Sequence, residues 1–191
     1  MQSRLRPLAL SAMLGAVALL GACAHAPGPS ATATLLPTTG NAALGVVTFQ
    51  MVDDRVLVKG KVRGLKPNQE HGFHAHEKGD CSSGDGLSTG GHFNPTGKPH
   101  GSPLGEHHAG DIPAITADAN GVAEFEFLLS GVTIGSGPTD LVGRGLIVHA
   151  SQDDYATQPT GNSGARIACG VISATPPRDA SGQPLPLPRD M

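Results

Sequence analysis

The chain has 191 residues, room for one domain of ordinary size plus tails. Its 27 Gly and 16 Pro exceed a fifth of all positions, and both residues break helix interiors, which argues against a helical bundle. With 38% apolar residues, 15% charged residues and a net charge of −3, there is material for a core and no basic excess for phosphates, so neither a disordered chain nor a nucleic-acid binder fits. The expected class is all-β, with short strands joined by Gly/Pro turns. The 9 His outnumber the aromatics, which are 5 Phe and 1 Tyr.

Residues 1–22 read as an export signal. Arg4 and Arg6 precede an apolar run from Leu8 to Leu20 that is too short for an ordinary membrane span. The run ends in Leu20-Gly21-Ala22-Cys23, the form of a bacterial lipobox. Cys23 is then lipidated and becomes the new N-terminus, which points to a membrane-anchored periplasmic protein. The competing reading is ordinary signal cleavage after Ala24-His25-Ala26. Assigning Cys23 to lipid leaves Cys81 and Cys169, and an exported pair in an oxidising compartment is expected to form a disulfide. Residues 23–30 then form a tether, 31–174 the folded domain, and 175–191 a Pro-rich, disordered or extended tail.

Within the domain, Ala31–Leu36 reads as a first strand. Ala43–Val52 and Arg55–Arg63 follow, separated by the hairpin signal Asp53-Asp54. In the second of these runs Val56, Val58, Gly60 and Val62 alternate with Leu57, Lys59, Lys61 and Arg63, as in a sheet with one solvated face. Further strand-like runs are His71–Glu77, Gly121–Leu129, Leu141–Ala150 and Ile167–Ser173. Residues 78–111 and 151–166 lack periodicity, and loops that long are usually functional.

These loops and their borders carry the histidines. His74 and His76 are two apart on a strand, so both rings project from one face. His92, His100, His107, His108 and Asp111 are spread over the first long loop, with Gly or Pro near each. Three His and one Asp suit a closed four-coordinate site of the kind zinc prefers. Binding there would also order a loop that has no apolar face to pack. His149 ends the apolar run Gly145-Leu146-Ile147-Val148, with Asp153 and Asp154 close behind it. A buried core His is one reading of His149, and a metal ligand with a carboxylate nearby is the other.

Taken together, these residues resemble the copper–zinc superoxide dismutases. The matching stretches are His71-Gly-Phe-His74-Ala-His76 through Cys81, Gly91-His92-Phe-Asn-Pro95, His100-Gly-Ser-Pro103, His108-Ala-Gly-Asp111, Leu146-Ile-Val-His149 and Gly161 through Gly170. They stand in the family's order over about residues 31–173. The resemblance implies an eight-stranded Greek-key β-barrel that converts superoxide to O₂ and H₂O₂. It implies copper held by His74, His76, His92 and His149, and zinc held by His92, His100, His108 and Asp111, with His92 bridging the two. The His-x-Gly-Asp spacing selects His108 and leaves His107 as a surface residue.

The resemblance also implies that Asp153 links His74 and His100, and that His71 supports the copper site. Cys81–Cys169 would be the disulfide, and Arg166 would stand at the mouth beside the copper. A metal-handling relative without turnover would be expected to lack a copper His, the bridge or Arg166, and none is missing. Residues 151–165 contain no Lys or Arg, so that loop adds no cationic steering. The oligomeric state is left as monomer or homodimer.

Overall fold

In the computed structural model, which describes residues 28–175, the alternating runs pair into antiparallel strands. They are β1 (Ser30–Pro37), β2 (Leu44–Val52), β3 (Arg55–Arg63), β4 (Glu70–His76), β5 (Asp111–Thr116), β6 (Val122–Leu129), β7 (Gly145–His149), β8 (Arg166–Val171) and the short β9 (Ser173–Thr175). The segment read as an export signal, Cys23, most of the expected tether and most of the Pro-rich tail lie outside the described residues. Eight strands follow the order β5-β4-β7-β8-β1-β2-β3-β6, and β9 pairs with β1. The path is a nearly closed barrel. β1 is its seam: it pairs with β2 and β9 through Ser30–Leu35 and with β8 through Leu36 and Pro37.

The β2–β3 hairpin shows how the sequence sets the register. Val52 pairs with Arg55, and Asp53 supplies the positive φ, 55°, that a two-residue turn requires. From there the period of two places Val56, Val58 and Val62 inside, each 0% exposed. Lys59 and Lys61 face water and pair with Glu126 and Glu124 of β6. Such exposed pairs contribute only about 0.2–1 kcal/mol each. The wall depends instead on buried side chains such as Phe49, Phe73, Leu35, Ile112 and Leu146, each worth roughly 1.5–3 kcal/mol when fully buried. Gly60 breaks the row of valines for a steric reason. It lies opposite Phe125, whose ring would stand 2.5 Å from a Cβ at that position. The vacated space lets Phe125 meet Phe73 edge-on at 5.3 Å between ring centres.

Two strands were not visible in the hydrophobic pattern. β5 runs Asp-Ile-Pro-Ala-Ile-Thr, and its Pro and its position at one end of the strand path blur the alternation. β9 has three residues with no buried side chain and exists through its pairing with β1. The run predicted from Leu141 forms a strand only from Gly145, because Leu141–Arg144 makes a turn closed by an Arg144 N–H to Leu141 carbonyl bond.

Candidate metal centre

β4 carries the first two histidines, and its register sets their direction. Phe73 and Ala75 point into the core, both 0% exposed, while His74 and His76 point outward beneath the long loops. β7 lies next to β4, with His74 opposite Ile147. His149 ends β7 and pairs with Arg166 at the start of β8. His92 reaches the same place from the loop, where it forms an isolated bridge with His76. The result is two groups of potential ligand atoms, each lying within 4.8 Å of one another: His74, His76, His92 and His149, and His92, His100, His108 and Asp111. His92 belongs to both.

Hydrogen bonds show which atom of each ring is free. In the first group His74 Nε2 donates to Asp153 at 2.7 Å, His76 Nδ1 to the Gly90 carbonyl at 3.0 Å, and His149 Nδ1 to the Gly164 carbonyl at 3.2 Å. The opposite nitrogens, His74 Nδ1, His76 Nε2 and His149 Nε2, are buried without a partner, as is His92 Nε2. Buried polar atoms are rarely left unpaired, so four on one spot mark a place suited to a cation. Four imidazole nitrogens, each with its other nitrogen tied, form a donor set that copper accepts.

The second group converges on Asp111. Nδ1 of His92, His100 and His108 stands 2.8, 3.1 and 3.3 Å from Asp111 Oδ1. Ligands about 2.0–2.1 Å from a tetrahedral zinc ion stand about 3.3 Å apart, so the cage is close to the size zinc needs. Asp111 Oδ2 is meanwhile held by the His108 and Gly101 N–H groups at 2.9 and 3.2 Å, which leaves Oδ1 for the ion.

Charge agrees with geometry. Burial, together with the neighbouring His92 and His149, pushes the His74 pKa well below its usual value. Burial does the same to His76 and lowers His149 to about 4. Burial also lowers His108. These rings are therefore neutral, the form that ligates. Burial alone would raise the Asp111 pKa, but hydrogen bonds from the His92 ring and the His108 backbone outweigh it and hold the carboxyl well below the usual range.

The remaining sequence-selected residues surround the two groups. Asp153 is 1% exposed and takes one ring from each group, His74 on Oδ2 at 2.7 Å and His100 on Oδ1 at 2.9 Å. His71 donates to the His149 carbonyl at 2.7 Å, beneath that ligand. His107 bonds the nearby Gly105 carbonyl, is half-buried and belongs to neither group. Cys81 and Cys169 form the disulfide, their Cα atoms 5.9 Å apart, which ties the first long loop to β8. Arg166 donates to the Gly86 and Gly90 carbonyls, each at 2.7 Å, and to Thr89 Oγ1 at 2.8 Å. The Gly90 carbonyl is the one that also holds His76.

Several supports lie outside the residues that the motifs single out. Gly161 has φ 68°, and a Cβ there would stand 1.8 Å from Asp153 Oδ1 and 2.5 Å from His100 Nε2. Its signal was a glycine inside a loop already singled out. Arg144 lies over the Phe93 ring at 4.1 Å and donates to the Glu77 carbonyl at 2.8 Å, bracing the residues that follow His92 and His76. Gln158 and Tyr155 carried no sequence signal, because each acts through backbone groups far away in the chain.

Comparison with known proteins agrees with this architecture. The family described as Copper/zinc superoxide dismutase (SODC) matches residues 43–172. Superoxide dismutase (Cu-Zn) 2 of Aquifex aeolicus (strain VF5) is 39% identical over 169 residues, covering 85% of this chain and 98% of that protein. A crystal structure described as that of the clock protein EA4 superposes with a TM-score of 0.70 at 40% identity, covering 79% of this chain and 97% of its own. The chain belongs to the copper/zinc superoxide dismutase family, an oxidoreductase whose two histidine-rich metal sites share His92.

Proposed function

We propose that His74, His76, His92 and His149 hold copper, that His92, His100, His108 and Asp111 hold zinc, and that Arg166 and His92 are the working side chains of superoxide disproportionation. The observation that carries this reading is His92, a single ring common to an all-imidazole group and a His/Asp group. When bound, copper supplies a one-electron change between Cu(II) and Cu(I), while zinc supplies fixed charge without redox chemistry. In the net reaction one superoxide is oxidised to O₂, and a second is reduced and takes two protons to give H₂O₂.

The chain's own residues bind the anion, supply a proton and fix the ligands. Three of the five guanidinium N–H donors of Arg166 are committed to Gly86, Thr89 and Gly90, which locks the fork and leaves donors for a small anion. Because His76 shares the Gly90 carbonyl, the anion-binding group and a copper-binding ring are held by one backbone atom. His92 Nε2 is the atom that takes up and releases one of the two protons. Asp153 fixes the tautomers of His74 and His100, so each would have Nδ1 free for an ion.

The proposal includes export. Arg4, Arg6, the apolar run and the lipobox ending in Cys23 support a lipid anchor facing the periplasm, and a disulfide suits an oxidising compartment. The chain then acts at a membrane surface as a monomer or homodimer. Purified protein assayed for superoxide decay and for metal content tests the catalytic reading. One copper and one zinc per chain with fast decay is the expected result. Zinc alone with no decay would instead favour a metal-handling role without turnover. Palmitate labelling that disappears in Cys23→Ser supports the anchor, and an unlabelled wild-type protein contradicts it.

A further inference from the structure

The segment that carries His100 has few attachments. It leaves and returns at one point of the sheet, where Phe93 and Gly110 bond each other and Ala75 of β4. Between those points His100 stands on no strand. Asp153 fixes its ring. Its backbone is fixed by Gln158, whose amide Nε2 donates to the His100 carbonyl at 2.9 Å while Oε1 accepts the His100 N–H at 2.9 Å. One side chain thus makes the reciprocal pair that a neighbouring strand would make. Among the described residues, no other side chain from outside residues 93–111 bonds the backbone of residues 95–107.

The segment that presents Gln158 is itself braced. The Asp154 carboxylate accepts the Ala156 and Thr157 N–H groups at 2.9 and 2.8 Å and the Thr157 hydroxyl at 2.6 Å. The Tyr155 hydroxyl accepts the Ala114 N–H of β5 at 3.2 Å, and the Tyr155 N–H donates to Asp153 at 2.8 Å. The turn is therefore fixed to β5 on one side and to the carboxylate that holds His100 on the other.

We infer that Gln158 is a positioning residue that holds His100 in the zinc group and so sets how long zinc stays bound. The inference rests on the zinc assignment above. Copper, whose unshared ligands stand on β4 and β7, should be indifferent to it. The test is the rate of zinc and copper transfer from fully loaded protein to a chelator, with thermal unfolding of the loaded and metal-free forms.

Gln158→Ala should release zinc about tenfold faster or more, the scale of two lost neutral hydrogen bonds, with copper release unchanged. Gln158→Glu keeps the acceptor but turns a carboxylate oxygen toward the His100 carbonyl, and should release zinc at least as fast. Gln158→Asn, one methylene shorter, should fail to restore the wild-type rate. The loaded Gln158→Ala protein should unfold at a lower temperature while the metal-free form is unchanged. Zinc release at the wild-type rate in both the Ala and Glu variants overturns the inference. So do equal losses of stability with and without metal, which mark a merely structural contact. A wild-type protein that retains no zinc overturns the zinc assignment itself.

Discussion

The proposed copper and zinc groups differ in what the chain supplies to hold their residues in place. In the copper group three ligands stand on the wall: His74 and His76 on β4 and His149 at the end of the adjoining β7. Their spacing follows from strand register, and their backbones belong to ladders that the core already requires. In the zinc group His92, His100 and His108 stand on the loop, and only Asp111 begins a strand, β5. Their spacing follows from side-chain bonds made by Asp111, Asp153 and Gln158, and from a disulfide at the loop's base. The copper group is thus preformed by the sheet, whereas the zinc group is assembled by its own polar partners. Zinc binding then contributes folding free energy to the loop.

The largest effect should come from the one residue that belongs to both groups. His92→Ala removes a ligand from each, so it should cost more than the roughly 10–100-fold typical of losing an outer partner. Superoxide decay and metal content should collapse together. Retention of both metals with normal decay would break the comparison at its hinge.

Arg166→Glu probes the strand-borne side alone. It replaces a fixed cation with an anion beside the His76 support, and turnover should fall by about 10-fold to 1,000-fold, the range of electrostatic effects on anion capture. Both metals should remain bound. Unchanged turnover would refute the role given to this side chain.

Asp153→Asn should loosen both groups at once, because its amide can accept only one of the two ring N–H bonds. Copper and zinc affinities should each fall by about 10-fold to 100-fold. A loss confined to one metal would show that Asp153 does not couple them.

Reduction of Cys81–Cys169 tests the base of the loop. The bond closes a span of 88 residues, and its loss should cost about 2–5 kcal/mol in unfolding free energy. The drop should be accompanied by faster zinc release, since the bridge anchors the loop rather than β4 and β7. An equal acceleration of copper release would contradict that division.

Acid tests the strand-borne rings on the metal-free barrel. Burial lowers His149 from its usual 6.5 to about 4 and moves His74 and His76 in the same direction. Between these values the unfolded chain binds more protons than the folded one. The stability these rings contribute is therefore full above about pH 6.5 and is lost as pH falls through about 4. Thermal unfolding of the metal-free protein across that window should show a falling midpoint toward acid. A flat profile would mean that the strand-borne rings are not held neutral by burial.

Much of the wall was legible in the sequence. Val56, Val58 and Val62 alternate with charged residues, and Asp53-Asp54 marks the turn, because a half-buried strand imposes a period of two. β5 and β9 were not legible, since one contains a proline and the other is too short to bury a side chain. The candidate ligands were legible because metal chemistry restricts residue type: His74, His76, His92, His100, His108, Asp111 and His149 all stand in the two groups. Their supports were only partly legible. Asp153 could be named through family resemblance, but Gln158 works through the backbone of His100, 58 positions away, and nothing in its own identity reveals that. The bulky Tyr155 adopts φ 54°, a conformation its residue type disfavours and therefore does not advertise.

The contrast between a sheet-built copper group and a loop-built zinc group is tested most directly by one time course. Protein loaded with both metals is mixed with a chelator, and each metal is followed in the same sample. Zinc should leave first while copper stays. Copper leaving first, or both leaving together, would contradict the account.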